Sequence, residues 1–314
     1  MKTTLKFKRF FLSVAMGTIL TVAISSCSKE DPAPTPTPTP NIVELAQSDT
    51  TLSILVSAVT KAGLVNTLST TPNLTVFAPN NAAFRAAGYP QSVIDGLTPT
   101  QVTTILTPIL TYHVVGSIVK STDVPVSDAV ATLNGKNIFA SKNTNGVFVN
   151  GKKVTTPDLI ASNGVVHIIN GVLVPPTQTI TEIVVGNPNF SLLKTAVVHA
   201  GLAGALGGPG KFTVFAPVNA GFPASLDTDA EINAAPAATV AGVVTSHAFG
   251  TNIFASDLVA GNTGATVNPL TTLTVGLTPP SVKITGSANP ASNITATDIV
   301  ATNGVIHVID KVLL

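Results

Sequence analysis

The feature that most limits how this chain can fold is a long internal repeat. SILVSAVTKAGLVNTLS at 53–69 returns as SLLKTAVVHAGLAGALG at 191–207, and LTVFAPNNAAF at 74–84 returns as FTVFAPVNAGF at 212–222. DLIASNGVVHIINGVLVP at 158–175 returns as DIVATNGVIHVIDKVLL at 298–314. An offset that drifts by only a few residues means tandem duplication of one unit of roughly 135 residues, far longer than a solenoid repeat and right for a whole domain. Two domains are therefore expected, 41–176 and 177–314.

Both copies carry the same local signals. Ile54, Leu55, Ala58, Val59 and Ala62 fall on one helical face, and Gly63 or Gly201 suits the residue just past the helix end. TVFA is a short strand stopped by Pro79 or Pro217, and Asn80-Asn81 can cap a turn of helix. Val102, Ile105, Leu106, Ile109, Leu110 and His113 share a helical face capped by Thr98 or Thr100, with Pro108 predicting a kink or break; Val240, Val243, Val244 and His247 repeat it. Asn134-Gly135 and Asn150-Gly151 between β-formers read as hairpin turns. NGVVHIINGVLV closes the unit as a strand, with Val165, His167 and Ile169 on one face and Val166 and Ile168 on the other.

His167 and its copy His307 sit among aliphatics. They read as core imidazoles whose nitrogens find backbone or polar partners; a base or a metal ligand is the alternative. Because the two are equivalents in separate domains, a joint site is not expected. His113 and His247 close a helix face and read as ties to a neighbouring strand or loop. Asp158 and Asp298, each before two apolar residues, suit a turn or cap.

No metal site, cofactor or enzymatic activity is expected. The chain has no GxSxG elbow, Walker loop or HExxH, and its one cysteine, Cys27, lies ahead of both domains. AGALGGPGK at 203–211 lacks the Gly-Lys-Ser/Thr ending of a phosphate loop and reads as a helix exit.

Residues 1–26 read as a signal peptide: Lys2, Lys6, Lys8 and Arg9 precede an apolar run ending Ile24-Ser25-Ser26. Cys27 follows directly, so the junction resembles a bacterial lipobox whose thiol is acylated; an incidental cysteine after an ordinary cleavage site is the alternative. SKED at 28–31 resembles the short tag that sends some lipoproteins to the outer face of the outer membrane, or is a plain polar linker. Within the 27–40 linker, PAPTPTPTP at 32–40 favours polyproline II, about 28 Å for nine residues at ~3.1 Å each. These features together point to a lipid-anchored envelope protein. The whole sequence has 16 Lys+Arg against 15 Asp+Glu; without the four leader cations, 12 face 15, a net of −3. Such a balance argues against nucleic acid as a partner.

TVFAPNNAAF, the pair Tyr112-His113 and DLIASNGVVHIINGVLVPP resemble the first block, the central tyrosine-histidine and the final block of fasciclin domains. All three occur in order in both copies, across 41–314. The resemblance implies an α+β fold of two tandem fasciclin-like domains, each a mixed β-strand wedge flanked by small helices. It implies extracellular adhesion, with a protein or polysaccharide ligand and the membrane, through the anchor, as partners. It further implies contact residues at Tyr112, His113 and Val114, and at the Asp-Ile type motifs Asp158-Leu159 and Asp298-Ile299. The second copy has Ser246-His247-Ala248-Phe249, without the tyrosine. An accessory subunit of an envelope complex is the alternative function.

Overall fold

A computed structural model of the chain describes residues 38–124, 128–261, 263–277, 280–285 and 290–314. The expected signal peptide, Cys27 and most of the proline stalk lie outside them. Residues from Thr39 to Leu314 form one compact unit.

Each copy builds its own seven-stranded sheet. In the first, β1 (Leu74–Pro79), β2 (Val114–Val115), β3 (Asp128–Ala131), β4 (Asn137–Asn143), β5 (Gly146–Val149), β6 (Lys152–Ala161) and β7 (Gly164–Ile169) run in the spatial order β2-β1-β7-β6-β5-β4-β3. The second has β8 (Phe212–Pro217), β9 (Ala248–Phe249), β10 (Thr263–Ala265), β11 (Thr272–Leu277), β12 (Pro280–Ile284), β13 (Ser292–Ala301) and β14 (Gly304–Ile309), and repeats that order. Among the described residues only β1·β7 and β8·β14 pair in parallel. These two pairs are central, which is why VVHII and VIHVI are apolar on both faces rather than alternating. The sheet curls until its edges meet: Val115 bridges Thr132, and the Leu133 N–H donates to the Val114 carbonyl at 2.8 Å. In the second copy the Val267 N–H donates to Ala248 at 2.7 Å.

One sheet face carries the helices. Ile42, Leu55, Val59 and Leu110 pack there with Val76, Val166 and Ile168. Phe77, Tyr112, Ile138, Val149 and Ile169 fill the curled interior on the other face. The Asn-Gly before β7 fixes the helical layer. Asn163 Oδ1 accepts from the Ile42 N–H at 2.9 Å, and its amide donates to Leu68 and Thr71 carbonyls. A Cβ on Gly164 would stand 2.2 Å from the Leu74 carbonyl oxygen, so only glycine lets β1 lie alongside. Asn303 and Gly304 repeat both features.

The helix over 99–112 departs from the sequence expectation. Pro108 does not end it. Residues Val102–Leu106 form a π turn in which the Thr107 N–H reaches the Val102 carbonyl, and Thr107–Tyr112 continues as α-helix. The wide turn absorbs the missing proline N–H and shifts the face, so Ile105 is exposed while Val102, Leu106, Ile109 and Leu110 are buried. The second copy has Gly242 at that position and a plain α-helix, Ala237–Ser246.

The two domains touch. Phe139 of β4 packs against Phe254 with ring centroids 6.1 Å apart, and Val305 completes the cluster. Ser141 Oγ donates to Asp257 Oδ1 at 2.9 Å, and Asn143 Nδ2 to the Ser256 carbonyl at 2.7 Å. Among the described residues no single helix is long and apolar enough to cross a membrane.

Candidate binding surface

Tyr112, His113 and Val114 carry the chain from the last helix into β2, and all three side chains are buried; Tyr112 is 0% exposed. Its hydroxyl donates to the Asn137 carbonyl at 2.8 Å and accepts from Asn150 Nδ2 at 3.0 Å. Burial pushes its pKa up to about 12, against a smaller lowering by Asn150. His113 Nδ1 donates to the Ile109 carbonyl at 2.8 Å and Nε2 accepts from the Leu173 N–H at 2.9 Å. The ring therefore ties the helix to the segment after β7 and must be neutral to do so. Burial lowers its pKa to about 4, only partly offset by the Ile109 bond. His247 repeats the arrangement with Val243 and Leu313, again at about 4. Direct contact with a partner through the Tyr112-His113-Val114 side chains would need this region to open.

His167 and His307 take the opposite tautomer. His167 Nε2 donates to the Val119 carbonyl at 2.8 Å while Nδ1 accepts from the Asp158 N–H at 3.1 Å. His307 does the same with Ile253 at 2.8 Å and Asp298 at 3.4 Å, and burial lowers its pKa. Each ring stacks on the phenylalanine across the parallel pair, Phe77 or Phe215, at 5.3 Å. The two histidines belong to different sheets. Among the described residues no group of three or more His, Cys, Asp or Glu side chains is placed to hold a metal ion.

Asp158 and Asp298 occupy neither a loop turn nor a helix of their own. Both lie inside ten-residue strands, where the register slips, with left-handed φ of 57° and 59°. The bulge turns the Asp N–H onto the histidine and its carboxylate outward. Asp158 Oδ1 accepts from the Ser121 N–H at 2.9 Å, and Oδ2 from the Ser121 hydroxyl. Desolvation would raise its pKa, but those bonds outweigh it and hold the carboxyl below the usual range. Asp298 Oδ1 accepts from the Ala255 N–H at 2.8 Å, capping the short helix Ala255–Asp257 from a distance.

The two motif faces differ in access. In the first domain Leu159 is half-buried and Ile160 is 56% exposed, and the nearby Ile118 is also exposed. In the second domain the matching Val300 packs against the Phe139–Phe254 cluster. Sequence reasoning missed this interface, although a signal existed. Matching the hydrogen bonds to Asp158 and Asp298 aligns Lys120 with Phe254, so a cation in one copy faces a buried ring in the other.

The fasciclin domain pattern matches residues 50–175 and again 188–314. The chain belongs to the fasciclin domain family. Transforming growth factor-beta-induced protein ig-h3 of Sus scrofa is 29% identical over 318 residues, covering 98% of this chain and 45% of that protein. Protein sll1483 of Synechocystis sp. is 41% identical over 135 residues, 43% of this chain and 73% of its own. Periostin of Homo sapiens is 27% identical over 183 residues, 58% of this chain and 21% of its own. The chain thus spans less than half the length of the ig-h3 and periostin relatives it matches. Among solved structures, the domain pair from the insect cell adhesion molecule Fasciclin I is similar at 19% identity and a TM-score of 0.40, covering 84% of this chain and 97% of that one.

Proposed function

We propose that the protein is a lipid-anchored adhesion or binding protein of the bacterial cell surface, held by Cys27 and lifted off the outer membrane by its proline stalk. It meets an extracellular protein or polysaccharide through its fasciclin domains, and it is not an enzyme. The reading is carried by membership of both halves in the fasciclin family, with the leader and stalk supplying the location. Within the pair, the contact surface is the Asp158-Leu159-Ile160 bulge of the first domain. Its apolar tip is open, whereas the equivalent tip of the second domain is covered. Tyr112 and His113 act from below by tying the end of the helix to β4, the Asn150 turn and the segment after β7.

Adherence of cells carrying the wild-type protein, a null allele or Ile160→Asp, measured on a panel of matrix proteins and glycans, tests this. Wild-type cells are expected to adhere several-fold better than both others to at least one surface. Equal adherence of all three across the panel would sink the proposal. Cys27→Ala should move the protein from the membrane fraction to the soluble one.

A further inference from the structure

The join between the domains forms an open cleft of about 470 Å³. Its walls are Asn150, Lys152 and Val172 of the first domain, the linker over 173–178, and Ile183 with Asp298-Ile299-Val300 of the second. The size is that of a small-molecule site, and domain joins are where such sites concentrate.

Its polar groups differ from their counterparts in the other copy. Asp158 has both carboxylate oxygens engaged, by the Ser121 N–H and hydroxyl. The residue equivalent to Ser121 is Ala255, which offers Asp298 an N–H but no hydroxyl. Oδ2 of Asp298 therefore has no hydrogen bond among the described residues. It lies against the turn Asn150-Gly151, where a Cβ on Gly151 would stand 2.5 Å from it, and Asn150 and Asp298 both line the cleft. On the first-domain wall, the half-buried Lys152 has no ion pair or hydrogen bond from its ammonium among the described residues. One cleft thus holds an acceptor-rich anion and a cation that do not satisfy each other, with Val172, Ile183 and Ile299 also on its walls.

We infer that the interdomain cleft binds a small zwitterion, an amino acid or short peptide. Its ammonium meets Asp298 Oδ2, its carboxylate meets Lys152 Nζ, and an aliphatic side chain lies on Ile183 and Ile299. An anion alone would confront Asp298 and a cation alone would confront Lys152. A neutral molecule would leave both charges with weaker partners than an opposite charge gives. This site is separate from the first-domain bulge, so it stands or falls apart from the adhesion reading.

The probe is the dipeptide Ala-Leu, titrated calorimetrically into the full-length protein, beside its N-acetyl and C-amide forms. Saturable binding of the free dipeptide is expected, weakened about tenfold, ~1.4 kcal/mol, by blocking either end. Asp298→Asn keeps an acceptor for the Ala255 N–H and tolerates the left-handed backbone, so it should fold; it and Lys152→Gln should each weaken binding by a similar factor. Lys136→Gln, on a turn outside the cleft lining, should leave it unchanged, and thermal melts verify that each variant is folded. Lack of saturable heat up to about 10 mM, a range that still detects weak millimolar contacts, would overturn the inference. Equal binding of the blocked dipeptides, or indifference to both cleft substitutions, would overturn it as well.

Discussion

At the scale of single residues, the four strand and helix-end histidines work as connectors. Each donates from one nitrogen to a carbonyl and accepts at the other from an N–H. A proton on the accepting nitrogen would break that bond and leave a buried charge. For His113 and His247 the folded pKa is about 4 against an ordinary 6.5. Above pH 6.5 both folded and unfolded states hold neutral rings and the stabilisation is complete. Between 6.5 and about 4 the unfolded chain takes up a proton that the folded one refuses, so stability falls as pH falls, by about 3 kcal/mol per ring at the end of the window. The chain has no Trp, and both its tyrosines, Tyr89 and Tyr112, lie in the first domain, whose unfolding tyrosine fluorescence therefore reports. His113→Gln should be less stable than wild type at pH 7, yet lose about 2 to 3 kcal/mol less between pH 7 and 4.5 in urea titrations. An unchanged pH dependence would mean that His113 is not held neutral.

At the scale of elements, the bulges in β6 and β13 show how one residue can serve two strands. Asp158 adopts φ of 57°, which an L residue other than glycine, asparagine or aspartate takes at a cost of about 1–2 kcal/mol. Its side chain also holds the Ser121 segment, at roughly 1 kcal/mol per bond. Asp158→Val should therefore destabilise the first domain by about 2–4 kcal/mol, while Asp158→Asn should cost under about 1 kcal/mol. Equal losses in the two variants, followed by tyrosine fluorescence in urea, would show that backbone strain and the carboxylate bonds are not what the bulge depends on. Much of the element plan was legible because it rests on local chemistry. Asn80 caps its helix, Gly63 sits past a helix end at φ 70°, and Asn150-Gly151 turns a hairpin with both φ positive. The bulge was not legible, since its backbone is dictated by His167 on the neighbouring strand rather than by residues beside Asp158. Ile105 fell on the wrong face for a related reason. Proline chemistry predicts a disturbed helix, but whether the chain breaks or widens into a π turn depends on what Val102 and Leu106 pack against.

At the scale of the whole molecule, duplication produced two domains that have since diverged in complementary ways. Inside the curled sheets, Tyr112 and Val115 of the first domain correspond to Ser246 and Phe249 of the second, so a lost ring on the helix is answered by a gained ring on the next strand. Between the sheets the divergence is one-sided: Phe254 stands where the first copy has Lys120, and only the second copy's face is covered by its neighbour. That asymmetry leaves the apolar tip of the first domain's bulge exposed, while the second domain's bulge packs into the join and lines its cleft. If Phe254 holds the pair together, Phe254→Lys should uncouple it without unfolding either half, because lysine is the residue the other copy carries there and Phe254 lies outside the second domain's interior cluster. In the wild type, tyrosine fluorescence and far-UV circular dichroism should report one coincident unfolding transition, as coupled domains do. In the variant the tyrosine transition should separate from the dichroism of the second domain, and small-angle scattering should show a larger radius of gyration as Phe139 loses the ring it packs against. Two already separate transitions in the wild type, or coincident ones in the variant, would mean that the linker alone sets the arrangement of the domains.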